Sequence, residues 1–255
     1  MKASVSPAAV VFAALSILAA GPAVCPAQNV AEQKDVVVQK SDGSHRVGQI
    51  LGMKADAIRI KIGLAETSIP MSNVASVTMS PPKEYNDALA LWQKGDAAKT
   101  LPVIAPVVEK FNGLPTKWAE RASSLLGEVY LASGQIDKAE AAFADFQKLY
   151  PDAGVTADVA LARLAIAKKD YDGARVKLVP IVEMAKTAKL AGSGTGAVYG
   201  QALYLLGQVQ ESSAENAEAL ENYLLAVTLF HEDEAIAAKA AERAEALKEK
   251  KVIVP

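Results

Sequence analysis

The side chains able to carry covalent or metal chemistry are few and badly spaced for it. Cys25 is the sole cysteine among 255 residues, and the two histidines, His45 and His231, stand 186 positions apart. A thiolate zinc site or a histidine-rich metal centre needs several such ligands at short spacing, so neither is expected and no cofactor is implied. Ser193 sits in a Gly-rich stretch without the flanking residues of an activated nucleophile, and His231 reads as a helix end rather than a general base. Lys189 precedes Gly192, Gly194 and Gly196, and no Gly-Lys-Ser/Thr run follows them, so a phosphate cradle is not expected either. Carboxylates are the remaining chemistry. Glu128 with Glu140, Glu215 with Glu218, and Glu232 with Glu234 are pairs from which a glycosidase-type acid and its second carboxylate could be drawn. Linear sequence does not set their separation, so a cell-envelope carbohydrate-acting enzyme stands only as the alternative to a non-catalytic role.

Bulk composition narrows the field. Hydrophobic residues make up 51% of the chain, enough for a substantial core, which excludes full-length disorder. The 27 basic and 29 acidic side chains nearly cancel to a formal charge of −2, whereas wholesale binding to nucleic acid or anionic lipid favours a strong positive excess. At the N-terminus, Lys2 precedes an Ala-rich apolar run over 8–20, which Gly21 and Pro22 break before the polar stretch 28–34. That order of charge, apolar core and small-residue exit predicts a secretory signal over 1–27, too short for a bilayer span and cut near Ala27. The mature chain would then lack cysteine and any stable transmembrane span, and would cross the inner membrane to the periplasm. A lipid-anchored form at Cys25 is the less favoured alternative, because Pro22, Ala23 and Val24 lack the Leu and adjacent small residue of such a signal.

Between 35 and 80 the pattern is that of short strands. Val36 to Val38, Val47 to Leu51, Ala57 to Ile62, Thr67 to Met71 and Val74 to Met79 are five candidate runs, with a turn at Ser41 to Ser44. Ile58, Ile60 and Ile62 alternate with Arg59 and Lys61, which predicts one buried and one polar face. A segment this short must close into a small barrel or pack on a neighbour. Gly48, Gly52, the Ile58 to Ile62 run, then Ile69, Pro70 and Asn73 to Val77 resemble a small SH3-like or Sm-like β-barrel. Arg59 and Lys61 are then either an outward binding stripe or a solvated sheet face.

After Pro81 and Pro82 the apolar period switches to that of helices. Ala88, Leu91 and Trp92 are followed by a break at Gly95 and Asp96, then by Leu101, Ile104, Ala105 and Val108. Pro102 is compatible with an opening turn of that second helix, whereas Pro106 should kink it. The clearest unit spans 120–151, two helical stretches separated at Gly134 and ended by Pro151, with Gly127 on the first and Phe143 on the second. Leu126, Gly127, Tyr130, Gly134, Ala139, Phe143 and Pro151 resemble the tetratricopeptide repeat family, whose helix-turn-helix unit is about 34 residues long. Ser123 departs from the family's Trp, and Phe146 from its later Ala, which predicts a widened contact there. A third unit over 155–187 turns at Asp170, and a fourth over 200–231 carries Leu206, Gly207, Ala219, Tyr223 and Ala226. Unit starts near 81, 120, 155 and 200 make the array degenerate, with a flexible connection over 190–196. Glu232 to Lys250 forms a last charged helix with Ile236, Ala240, Ala244 and Leu247 on one face, suited to capping the array.

The expected fold class is therefore mixed: a small all-β module over 35–80, then an all-α, TPR-like solenoid of degenerate hairpins over 81–250. Stacked hairpins offer an extended curved surface, suited to a protein or peptide partner in the cell envelope. The resemblance implies a concave face lined by first-helix side chains. Carrying those positions over selects Tyr85, Leu89 and Trp92, then Arg121, Glu128, Val159, Arg163, Tyr204 and Gln208. Aromatic anchoring at Tyr85, Trp92 and Tyr204, carboxylate pairing at Arg121 and Arg163, and a backbone bond at Gln208 are the roles implied. The opposing reading places Trp92 and Tyr204 in the helical core and both arginines in solvent. Neither reading sets an oligomeric state.

Overall fold

The computed structural model describes residues 35–39, 43–187 and 195–254. The expected secretory segment, Cys25, Ser41 and Asp42 of the first turn, Ser193 and most of the Gly-rich connection lie outside the described residues. Alternating side chains build the first layer: β1 (Asp35–Gln39), β2 (His45–Lys54), β3 (Ala57–Ile62), β4 (Ala65–Pro70) and β5 (Val74–Thr78) form one antiparallel sheet. Ile58 and Ile60 are fully buried, and Ile58 lies opposite Ile69 in the register. Arg59 and Lys61 point the other way, and Arg59 is tied to Glu66 at 3.0 Å, as a solvated face would have it.

The strand order is β4-β3-β2-β1-β5, so β4 and β5 are the two edges of an open sheet. Closure into a barrel, expected from the SH3-like or Sm-like resemblance, is not what forms. The apolar face is covered by helices instead of by itself. Val37, Ile50, Ile58, Ile60, Ile69 and Val74 share one continuous core with Ile104, Phe111, Trp118 and Leu125 of the helical part. At the seam, a Cβ placed on Gly52 would fall 2.5 Å from the Lys110 carbonyl oxygen, so only glycine lets the strand lie this close to the helix. Trp118 adds a hydrogen bond from its indole N–H to the Met79 carbonyl, at 3.0 Å.

Four helical hairpins and a final helix follow: α1 (Lys83–Gln93) with α2 (Ala97–Phe111), α3 (Lys117–Ala132) with α4 (Ile136–Leu149), α5 (Val155–Ala167) with α6 (Tyr171–Thr187), α7 (Gly196–Ser212) with α8 (Asn216–Thr228), then α9 (Glu234–Glu249). Asp96, Thr116 and Asp233 cap α2, α3 and α9 by accepting a backbone N–H from three residues on. Pro102 lies beyond the opening turn of α2, and both it and Pro106 fall inside one helix. On α9, Ala240, Ala244 and Leu247 are the buried residues, so its apolar face covers the end of the array.

One set of offsets repeats through all four hairpins. A small buried residue of the first helix (Ala88, Gly127, Ala162, Gly207) is followed sixteen positions later by a larger, fully buried one of the second (Ile104, Phe143, Leu178, Tyr223). A methyl group added at Gly127 or Gly207 would overlap the ring of Phe143 or Tyr223, so these two sites need glycine. Seven positions after each small residue the backbone turns left-handed, at Gly95, Gly134, Lys169 and Ala214. Each closes the same pair of bonds, for example Gly134 N–H to Leu131 O at 3.0 Å and Gln135 N–H to Tyr130 O at 2.9 Å. This double bond ends the helix and sets the hairpin angle.

Candidate partner-binding face

First helices approach one another more closely than second helices do: α3 packs on α5, α5 on α7 and α7 on α9, while second helices meet chiefly their neighbours in sequence. The stack therefore curves toward its first helices, whose outward side chains form the inner row. Its centre is ionic. The Glu128 carboxylate, on α3, accepts from Arg121 seven positions upstream and from Arg163 Nη1 on α5 at 2.6 Å, with the Ser124 hydroxyl at 3.4 Å. Burial by itself would push the Glu128 carboxyl up, but the two guanidinium charges and their hydrogen bonds outweigh it and hold the pKa at about 2. Glu128 is thus ionised at every physiological pH.

Placement of the expected residues differs along the row. Tyr85 is buried, its ring tilted at 5.8 Å from that of Trp118, and burial pushes its hydroxyl pKa up. Val159 is buried in the core at 3% exposure and offers no side chain to a partner. Leu89 and Trp92 are half-buried against the core beneath α1, with part of each side chain in solvent. Tyr204 and Gln208 are half-buried on α7, where the Gln208 amide donates to the Tyr204 hydroxyl at 3.0 Å. Arg121 and Arg163, expected to meet a partner's carboxylates, are both occupied by the chain's own Glu128. They and Glu128 form a bridge between α3 and α5 rather than free charges.

Beyond α7 lies a second polar cluster, which the sequence pattern marks only as a solvated helix face. Arg243 of α9 grips Glu211 of α7 with two bonds, Nη2 at 2.6 Å and Nε at 2.9 Å, and the Tyr223 hydroxyl donates to the same carboxylate at 2.7 Å. The spacing Lys239, Arg243, Ala246 and Lys250 places these residues along one side of α9 and its C-terminal cap and was a usable sign. Two more of the candidate acids are engaged: Glu140 accepts from Lys168 at 2.9 Å, and Glu215 takes a two-bond grip from Arg175 at 2.9 and 2.8 Å. Among the described residues no three His, Cys, Asp or Glu gather as metal ligands, and no helix is long and apolar enough to cross a membrane.

No family model matches the chain, and no curated protein does. Similar solved structures include two described as nearly identical TPR-like repeats of a Podosopora anserina kinesin light chain. One, a singly substituted form, is 18% identical over 66% of this chain and 90% of its own, with a TM-score of 0.43. The second is 17% identical over 66% of this chain and 94% of its own, with a TM-score of 0.38.

Proposed function

We propose that the chain is a protein-interaction scaffold, exported to the periplasm, whose inner row of first helices holds a polypeptide segment of a partner in the cell envelope. The observation that carries this reading is the row itself. Half-buried Leu89, Trp92, Tyr204 and Gln208 project from a curved floor that the Arg121–Glu128–Arg163 bridge holds rigid between α3 and α5. Aromatic side chains fixed on one side and wet on the other give contact area at little ordering cost, which is how interface anchors work. The two arginines are framework in this reading, and the α1 and α7 side chains make the contacts.

The test follows from that division. Replacing Arg121 or Arg163 would remove one of the two cations that compensate buried Glu128 and destabilise the array, so the informative variant changes Trp92, Tyr204 and Gln208 to Ala together. Affinity recovery from envelope extract should yield a protein with the native chain and lose it with the triple variant, while circular dichroism stays unchanged. Equal recovery by both would reject the inner row as the binding face.

A further inference from the structure

The valley between α7 and α9 is an open groove of about 770 Å3, and Tyr204 and Gln208 belong both to it and to the inner row. It is therefore the continuation of the proposed binding face toward the C-terminal end. Its charges are unevenly used. Glu211 takes two bonds from Arg243, which balances its charge, and one from the neutral Tyr223 hydroxyl. Lys239 and Lys250 line the same valley and have no carboxylate within ion-pair distance among the described residues. Lys250 also helps to hold the Glu211 carboxyl down from across the valley, and Glu242 makes no ion pair among the described residues, so the wall as a whole carries three cations, Lys239, Arg243 and Lys250, against two carboxylates. Both lysines are exposed, so each ammonium is open to a carboxylate from outside the chain.

We propose that this valley is the end of the binding face that recognises an acidic polypeptide segment, with one carboxylate of the partner on Lys239 and another on Lys250. The inference rests on the inner-row reading and adds the partner's chemistry to it. Geometry limits the partner further. Lys239 lies in α9 and Lys250 caps its C-terminal end eleven residues on, about 16 Å further along the axis at roughly 1.5 Å per residue. An extended segment rises about 3.3 Å per residue, so its acidic side chains must stand about five positions apart. Glu242 lies between the lysines, one turn from Lys239, and disfavours a third acid between them. Tyr204 and Gln208 on the valley floor supply an aromatic surface and an amide for the intervening backbone.

The experiment uses fluorescent peptides with two glutamates about five positions apart and counterparts with glutamine at both sites, titrated into the full chain while anisotropy is read. The glutamate peptide should bind about tenfold more tightly than the glutamine one, the size two partly exposed ion pairs can supply, and the preference should shrink with added salt. The double charge reversal K239E/K250E should erase the preference, and E242Q should strengthen it. Equal binding of the two peptides by the native chain, or an unaltered preference in K239E/K250E, would overturn the proposal. Binding of neither peptide would overturn it as well. The failures are separable: a partner recovered from extract through Trp92, Tyr204 and Gln208 but indifferent to the lysine reversal leaves the inner row standing and removes only the acidic-segment assignment.

Discussion

Glu128 shows how a residue of an interaction surface can be spent on the fold. Its carboxyl group titrates at about 2 in the folded chain against an ordinary 4.5, because two guanidinium groups more than offset its burial. The folded-state value is depressed, so the stabilisation is complete above about 4.5 and is lost as pH falls from there toward 2. Urea midpoints measured across that window should therefore drop as the solution is acidified. Glu128→Gln keeps the shape but leaves two guanidinium groups without their counter-charge. It should lower stability at neutral pH by about 3 kcal/mol and flatten the acid limb of the curve. An acid limb of unchanged steepness in Glu128→Gln would show that other carboxylates govern it. Tyr85 and Val159 make the complementary point: a position one expects on the concave side can be drawn into the core when a neighbouring ring or helix closes over it.

At the scale of the element, the hairpin is defined by two small-residue demands of different origin. The demand at Gly127 and Gly207 is steric, set by a ring from the second helix. The demand at the turn is conformational, since the second residue after each first helix is left-handed with φ from 61° to 74°. Gly95 and Gly134 meet it freely, whereas Lys169 (φ 63°) and Ala214 (φ 61°) carry a side chain in the same conformation. A left-handed residue with a Cβ costs about 1–2 kcal/mol, partly offset by the greater chain entropy glycine loses on folding. Lys169→Gly and Ala214→Gly should each raise stability by up to about 1 kcal/mol, and Gly134→Ala should lower it by a similar amount. Thermal unfolding decides the matter: shifts of the same sign for all three would mean that the turn conformation is not what limits these hairpins.

The whole molecule from the first strand onward is one compact unit, in which the sheet shares its core with the first two hairpins. The Gly52 approach to Lys110, the Trp118 bond to Met79 and the Tyr150 hydroxyl accepting from Gly113 N–H at 2.8 Å secure the region where sheet, α2 and α3 meet and where α4 ends. Removing 35–80 would uncover Ile104, Phe111 and Trp118. The shortened array should bind a hydrophobic dye and unfold at lower temperature, and the isolated 35–80 segment should show no cooperative transition by circular dichroism. Independent melting of the two pieces, each at the temperature of the intact chain, would refute a shared core. At this scale the curvature also belongs to the molecule, since it arises from first helices converging while second helices spread.

Local pattern sufficed for the elements. The alternation at Ile58, Arg59, Ile60 and Lys61, the switch of period after Pro82, the break at Gly134 and the close helix approach at Gly127 all follow from backbone geometry and steric size within one hairpin or strand pair. Such effects act over a few residues and leave their mark on the order of side chains. The turn at Asp170 was legible, but the left-handed conformation of Lys169 and Ala214 was not, because no glycine marks it; the hairpin imposes the conformation on whatever residue arrives there. What tertiary structure alone decided is long in range. The open sheet edge, Arg163 reaching a carboxylate thirty-five positions back, and the placement of Lys239 and Lys250 beside α7 depend on which faces approach which. Electrostatic pairing and sheet closure are settled by distance in space, and distance in space is a property of packed layers that no single stretch of residues contains.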